Sequence, residues 1–420
     1  MLLRNIFSML MLAALLASCA SNPVTGKRDM VFMSTEQEIA MGTKNYLPAQ
    51  QQQGGQYTVD PNLTRYVAKV GAKLAAVSDR PELPYEFVVL NNDVPNAWAM
   101  PGGKIAINRG LLMHLEDEAQ LAAVIGHEIV HAAARHGAQQ QSQNILVNIG
   151  LAATAIAAQK QEKYGGAAVL AAGVGGKAWM ARYSRGNETE SDTYGIQYMV
   201  RAGYEPRAAV ELQQTFVKLS EGRSSDWFSE FFASHPPSQQ RVEANRAQAS
   251  QLPSGARNKA AFDRAMAQLR RDAVAYKANT EAMQALQNDD LSGALALVNK
   301  AIAAQSKEGL FWQTKGQILY KQDKKKDAET AFGKTIQYNP GLFSGHLYRG
   351  LVRAEQGNNA AAESDLLASR KHLGTVAASY HLGELARARG DKAAARSYYS
   401  EAAKGDGDLA KSAQERLQQL

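Results

Sequence analysis

The sequence predicts an α+β fold that is mainly helical, with a first domain built around a small sheet and an all-α solenoid after it. Three observations predict this. Tyr85–Leu90 and the two segments flanking Pro101-Gly102-Gly103 have strand composition inside a chain that is otherwise periodic at helical spacing. His127-Glu128-Ile129-Val130-His131 falls within one of the helical stretches. Beyond Pro253-Ser254-Gly255, Ala294, Ala328, Ala362 and Ala395 recur at spacings of 34, 34 and 33 residues, a period of stacked helix pairs. Composition agrees. The 420 residues are 45% hydrophobic and 21% charged, which suits two or three globular domains and excludes a wholly disordered chain. A single cysteine excludes an intramolecular disulfide framework and any zinc site built from several thiolates. The net charge of +7 is spread along the chain, densest near Lys324. It reads as solubility, with some attraction to anionic membranes or acidic partners, and not as nucleic-acid binding.

Residues 1–18 read as an address. Arg4 precedes the apolar run Ile6–Ala17, 12 residues long, the length of a signal-peptide core and too short to span a bilayer. The run ends in Leu16-Ala17-Ser18-Cys19, which resembles a bacterial lipobox. That resemblance implies cleavage before Cys19, lipid attachment to it and, with Ala20 following, the outer membrane of a Gram-negative cell. The alternative is an ordinary signal peptide with an incidental cysteine, leaving a soluble periplasmic protein.

Residues 20–59 are polar and read as turn-rich. Asp60-Pro61 reads as a helix start running to about Val77. A strand follows at Tyr85–Leu90, then a hairpin of Asn96–Met100 and Lys104–Asn108. A helix is expected from about Asp117 to Gln139. The apolar segments Ile145–Ala158 and Gly166–Ala181 are too short or too broken to span a membrane, and read as buried helices or a hairpin near the lipid surface. Helices are expected over Glu188–Ala202 and from Pro206 to about Ser220. A loop through Trp227, Phe228, Phe231 and Phe232 then leads to His235-Pro236-Pro237, and Ser238 caps a further helix. The layout is a signal peptide at 1–18, a first domain at 19–255, a linker helix at 256–275 and repeats at 276–420. Trp312, Gly316, Ala328, Phe332 and Pro340 fall at the offsets of a tetratricopeptide repeat, and Gly350 and Gly383 keep the phase. The region thus resembles an array of about four such repeats.

Four residues turn a helix by about 400°, so His127 and His131 share one face. Both imidazoles can reach one zinc ion, with Glu128 beside them as a base. A catalytic zinc also needs a third protein ligand and an open position. His136 lies nine residues from His127, half a turn round a continuous helix, and reads as structural or exposed. Glu188 is the better third ligand. Asp192, on the same helix face as Glu188, would orient a ligand imidazole through its second nitrogen. The competing reading of this segment is a solvated acidic helix start, and Glu190 reads as solvent-facing.

With these motifs in order, the chain resembles the gluzincin metallopeptidases that include the HtpX heat-shock protease and the CaaX prenyl proteases. Within them it is most similar to the BepA-type periplasmic branch, which joins the peptidase to tetratricopeptide repeats. The segments that carry the likeness are Asn22-Pro23-Val24-Thr25-Gly26, Asn96–Gly103, the HEIVH motif, Glu188–Asp192 and His235-Pro236-Pro237. The resemblance implies zinc held by His127, His131 and Glu188, with Glu128 taking a proton from water and passing it to the leaving amine. The Asn96–Met100 strand would serve as an edge for an extended substrate. Ser191 departs from the alanine of many relatives, and the lipobox departs from the soluble members. His235 either anchors a loop or approaches the zinc, where it would stabilise the tetrahedral intermediate or hold the enzyme latent.

The expectation is a lipid-anchored zinc endopeptidase facing the periplasm that clips misfolded or stalled envelope proteins. Its repeats would present clients or dock on outer-membrane assembly machinery. The rival is a chaperone-like scaffold acting through the repeats with little proteolysis. A prenyl-protein protease is disfavoured because the membrane spans it would need are missing from the sequence.

Overall fold

The computed structural model describes residues 19–159, 183–221 and 229–420. The expected signal peptide, the Gly166–Ala181 segment, Trp227 and Phe228 lie outside them. Among the described residues no helix is long and apolar enough to cross a membrane. The fold is α+β and mainly helical, and it divides into two compact units. The first comprises residues up to 46, 62–89 and 93–265; the second comprises 47–61, 90–92 and 266–420. The division at 265/266 falls inside the expected linker helix, within one continuous helix, Lys259–Gln287.

In the first unit, β1 (Cys19–Ser21) pairs antiparallel with β2 (Arg28–Met30). The turn between them is closed by Asn22, whose Oδ1 accepts from the backbone N–H groups of Val24 and Thr25. Instead of the expected turn-rich stretch, an 18-residue helix follows, α1 (Thr35–Gln52). Its signal is a reciprocal cap that composition conceals: Gln37 N–H donates to Ser34 Oγ and Ser34 N–H to Gln37 Oε1. The amphipathic helix α2 (Pro61–Ala75) buries Leu63, Val67, Val70 and Leu74. The sheet runs β3 (Glu86–Leu90), β5 (Lys104–Asn108), β4 (Ala97–Met100), with β5 central and buried throughout. Met100 pairs with Lys104 across a turn in which Gly102 and Gly103 both take positive φ, at +78° and +80°.

Behind β5 comes a single helical turn, α3 (Arg109–Leu112). Then Asp117 caps α4 (Glu118–Ala133), accepting from Gln120 N–H at 2.9 Å. Every residue of α4 but His127 is buried, so this helix is the centre of the unit. The expected helix to Gln139 breaks at Arg135, which takes φ +66°. Hydrogen bonds from its guanidinium to Glu38 and the Met33 carbonyl hold that left-handed conformation. A new helix, α5 (His136–Gln159), starts at the next residue. Next are α6 (Arg185–Arg201), α7 (Arg207–Glu221), the short α8 (Ser229–Ser234) and α9 (Gln239–Ala249). Ser184 caps α6 and Ser238 caps α9.

The second unit is a helical solenoid. Its helices are the C-terminal part of α10 (Lys259–Gln287), α11 (Leu291–Ala304), α12 (Gly309–Lys321), α13 (Lys325–Tyr338), α14 (Phe343–Glu355), α15 (Asn359–His372), α16 (Val376–Ala388), α17 (Lys392–Ala402) and α18 (Asp408–Gln418). From α11 onward each packs on the next. The in-phase alanines 294, 328, 362 and 395 are all fully buried. A Cβ on Gly316 would stand 2.5 Å from the Phe332 ring, one on Gly350 3.0 Å from Leu366, and one on Gly383 2.6 Å from the Tyr399 ring. Each glycine therefore receives the side chain sixteen residues on, which is the close crossing the repeat needs. The intra-repeat turns keep the same phase, with positive φ at Asp289, Asp323, Gly357 and Gly390. Three contacts complete the unit from early in the chain. Asn91 donates to the buried Glu308 carboxylate at 3.0 Å, Gln51 Oε1 accepts from Phe343 N–H at 2.8 Å, and Thr58 Oγ donates to the Tyr338 carbonyl at 3.3 Å.

Candidate metal centre

The site is built where α4 and α6 cross. Gly126 and Gly195 face each other there, each lacking a side chain that would come within 3.1 Å of the other helix's backbone. This close approach brings Glu188 and Asp192 of α6 against the imidazoles of α4. His127, His131, Glu188 and His235 converge so that one ligand atom from each lies within 4.8 Å of the others. His127 Nε2 is 3.0 Å from His131 Nε2 and 3.4 Å from Glu188 Oε2, and His131 Nε2 is 3.3 Å from Glu188 Oε1. Those separations test the fit of a metal. Ligands about 2.0–2.1 Å from a tetrahedral zinc stand roughly 3.3 Å apart. Two imidazole nitrogens and a carboxylate are also the donor types that zinc takes, so the residues fit the ion.

Glu128, the second residue of the motif, is buried, and its Oε2 has no hydrogen-bond partner. A buried carboxylate oxygen left unmatched is costly unless a ligand or substrate proton meets it. Burial raises the Glu128 carboxyl above its ordinary value, against the lowering fields of His235 and His127. Its other oxygen lies 3.6 Å from His235 Nε2, and His235 Nδ1 lies 3.1 Å from Glu188 Oε1 and 3.3 Å from His127 Nε2. His235 thus brings a third imidazole nitrogen to the cluster, presented by the residues that follow α8.

Asp192 Oδ1 stands 3.0 Å from His127 Nδ1, the nitrogen facing away from the cluster. Asp192 is held in turn by Arg241, which donates from Nε and Nη2 to its two oxygens at 2.7 and 2.8 Å and approaches Glu188 at 3.0 Å. Burial would raise both carboxyls. Arg241 lowers Asp192, and the neighbouring histidines hold Glu188 well below the usual carboxylate range. Arg241 was not singled out from sequence. Its one signal is its place three residues after the Ser238 cap, on the first turn of α9.

Two further partners were also hidden. Tyr183 stacks on His131 with ring centroids 3.7 Å apart, and its hydroxyl lies 3.4 Å from the Ala99 carbonyl of the edge strand β4. His136 is buried, with Nδ1 2.9 Å from His131 Nδ1 and Nε2 3.2 Å from Glu190 Oε1. The break at Arg135 overturns the half-turn arithmetic that set His136 apart. Glu190 is likewise not solvent-facing: it accepts from Asn22 Nδ2 at 2.9 Å. Burial would raise its carboxyl, but the His136 and Asn22 hydrogen bonds bring it below its ordinary value. Ser191, at the position of the family alanine, is fully buried with no partner for its hydroxyl.

Residues 61–249 match the model of peptidase family M48. The chain is similar to the beta-barrel assembly-enhancing protease of Escherichia coli K12, with 31% identity over 226 residues covering 52% of this chain and 45% of that protein. The protein of the same name from Yersinia pestis is 30% identical over 224 residues, with the same coverage. Mitochondrial metalloendopeptidase OMA1 of Schizosaccharomyces pombe is 29% identical over 223 residues, covering 52% of this chain and 63% of that one. The chain spans about half the length of the first two relatives. The solved structure of pilF from Pseudomonas aeruginosa covers 51% of this chain and 97% of its own, at 16% identity and a TM-score of 0.34.

Proposed function

With a peptidase family M48 domain at residues 61–249, we propose that this chain is a zinc-dependent endopeptidase of the bacterial envelope. Its substrates are misfolded or stalled envelope and outer-membrane proteins. The observation that carries the reading is the convergence of His127, His131 and Glu188 beside a buried Glu128 whose Oε2 has no partner. His127, His131 and Glu188 would hold the ion, which when bound would supply an acidified water and a polarised scissile carbonyl. Glu128 takes a proton from the attacking water at Oε2 and returns it to the leaving amine, a task suited to a carboxyl raised by burial. Asp192, fixed by Arg241, holds the His127 ring in the tautomer that leaves Nε2 free for the metal. An extended substrate adds to β4, the outer strand next to β5.

His235 sits where it shields both Glu128 and the ligand cluster, which supports a latent enzyme opened when a client or partner displaces it. On this reading the peptidase domain spans 19–255, the linker helix 256–275 and the repeats 276–420. The repeats select clients or dock on outer-membrane assembly machinery, a setting supported by the beta-barrel assembly-enhancing relatives. Cys19 carries the lipid that keeps the protein on the periplasmic side of the outer membrane.

The test is cleavage of an unfolded outer-membrane protein by wild type, Glu128→Gln and His235→Ala, with zinc content measured beside it. Glu128→Gln is expected to keep its zinc and lose cleavage by about 10²–10⁴-fold. His235→Ala is expected to cleave faster than wild type. No cleavage by any of the three would instead favour the scaffold reading.

A further inference from the structure

Both cluster histidines turn one nitrogen inward, and the other nitrogen must be held from outside. His127 meets a carboxylate directly, through Asp192 at 3.0 Å. His131 meets another imidazole, His136, at 2.9 Å. We propose that His136 is a positioning residue of the metal centre, linking the outer nitrogen of His131 to the carboxylate of Glu190 and through it to Asn22. The inference rests on the metal-centre reading above.

The protonation pattern is fixed by the partners at each end. With Nε2 of His131 turned to the cluster as a lone pair, its Nδ1 carries the proton and donates to His136 Nδ1. His136 then has its own proton on Nε2, which faces Glu190 Oε1 at 3.2 Å. Glu190, an acceptor only, closes the chain, and Asn22 Nδ2 donates to it at 2.9 Å and to Asp29 at 3.1 Å. Gln139, on the same turn of α5 as His136, donates to that Asp29 at 2.8 Å. Each group therefore has a partner of the right sense, and reversing any one donor leaves two acceptors or two donors face to face. His136 reaches this position only because the chain turns left-handed at Arg135. Any buried imidazole needs partners, but the carboxylate at the end of this chain also fixes which nitrogen of His136 carries its proton, and so which nitrogen accepts from His131. Outer partners of this kind orient the ligand ring and raise its basicity.

The experiment measures zinc affinity of the full chain by competition with a chromophoric chelator, and the visible spectrum of the cobalt-substituted protein. His136→Leu is expected to weaken zinc binding about 10–100-fold and to shift the cobalt bands. In His136→Gln the amide accepts at oxygen and donates at nitrogen, so this variant should recover most of the affinity. Glu190→Gln keeps an acceptor without the charge, and its loss should be smaller than that of His136→Leu. Should His136→Leu fail to fold, Glu190→Leu tests the same link from its far end. Unchanged affinity in the leucine variant, or equal loss in His136→Gln and His136→Leu, overturns the proposal. A wild-type chain that binds no zinc overturns the metal-centre reading and this inference with it.

Discussion

The crossing of α4 and α6 and the crossings within the repeats use the same device for different ends. In the repeats Gly316, Gly350 and Gly383 each make room for the side chain sixteen residues on, so these three crossings are local and apolar. At the metal centre Gly126 and Gly195 make room for one another. What they bring together is polar, with partners 65 residues apart in His127–Asp192 and 108 apart in His127–His235. Close packing in the repeats stores stability in many interchangeable contacts. At the centre it is spent on holding charge and lone pairs together in a place where water would otherwise solvate them. Damage should therefore stay with stability in one region and reach both stability and chemistry in the other.

Arg241→Met is the largest break in that comparison. It leaves Asp192 and Glu188 buried without their cation, which costs about 3–5 kcal/mol. Zinc affinity should fall with it, while the melting of the repeats stays in place, as amide exchange followed by mass spectrometry would resolve. A smaller effect is expected for Gly316→Val, which drives a branched side chain into Phe332 and costs about 1–3 kcal/mol. Zinc content and the cleavage of a short peptide should not change, and a loss of either would mean that the two regions are coupled.

The smallest effect sharpens the contrast, because it concerns a charge inside the repeats. Asp365 is buried and receives Nε and Nη2 of Arg349 at 2.8 and 2.7 Å, with Arg353 at 2.9 Å. Burial would raise its carboxyl, but the hydrogen bonds from Arg349, the contact with His346 and the charge of Arg353 hold it down at about 2. A lowered folded value stabilises above the ordinary carboxylate range and is lost as pH falls through the folded one. Asp365→Asn should thus lose about 1–2 kcal/mol at neutral pH. Urea midpoints of variant and wild type should converge as pH falls from about 4 to about 2.

What could be read in advance follows the same contrast. The solenoid was legible because its alanines and glycines repeat, and a repeating local contact is a property of spacing. His127, Glu128 and His131 were legible because one helix turn carries them. That Glu188 and Asp192 share a face followed from the same arithmetic on a second helix, but which imidazole Asp192 meets did not. Of the two readings of His136, structural or exposed, burial leaves the structural one, and its contact with His131 was out of reach because a left-handed arginine interrupts the helix at which the arithmetic was aimed. Arg241, Tyr183 and Asn22 were out of reach for another reason: each meets the site from a different element, and no spacing within one segment encodes a contact between segments. The helix Thr35–Gln52 was missed because polar composition outweighed a single capping pair.

The discontinuity of the second unit has a consequence for the order of events during synthesis. Gln51 and Thr58 leave the ribosome early, and the donor of one at Phe343 and the acceptor of the other at Tyr338 follow 292 and 280 residues later. At about 5–20 residues per second, these two early residues wait roughly 15–60 s for the groups that satisfy them. Sequential packing of the helices can follow the order of emergence, but these two contacts cannot: a chain cut short before Tyr338 leaves Gln51 and Thr58 without those partners.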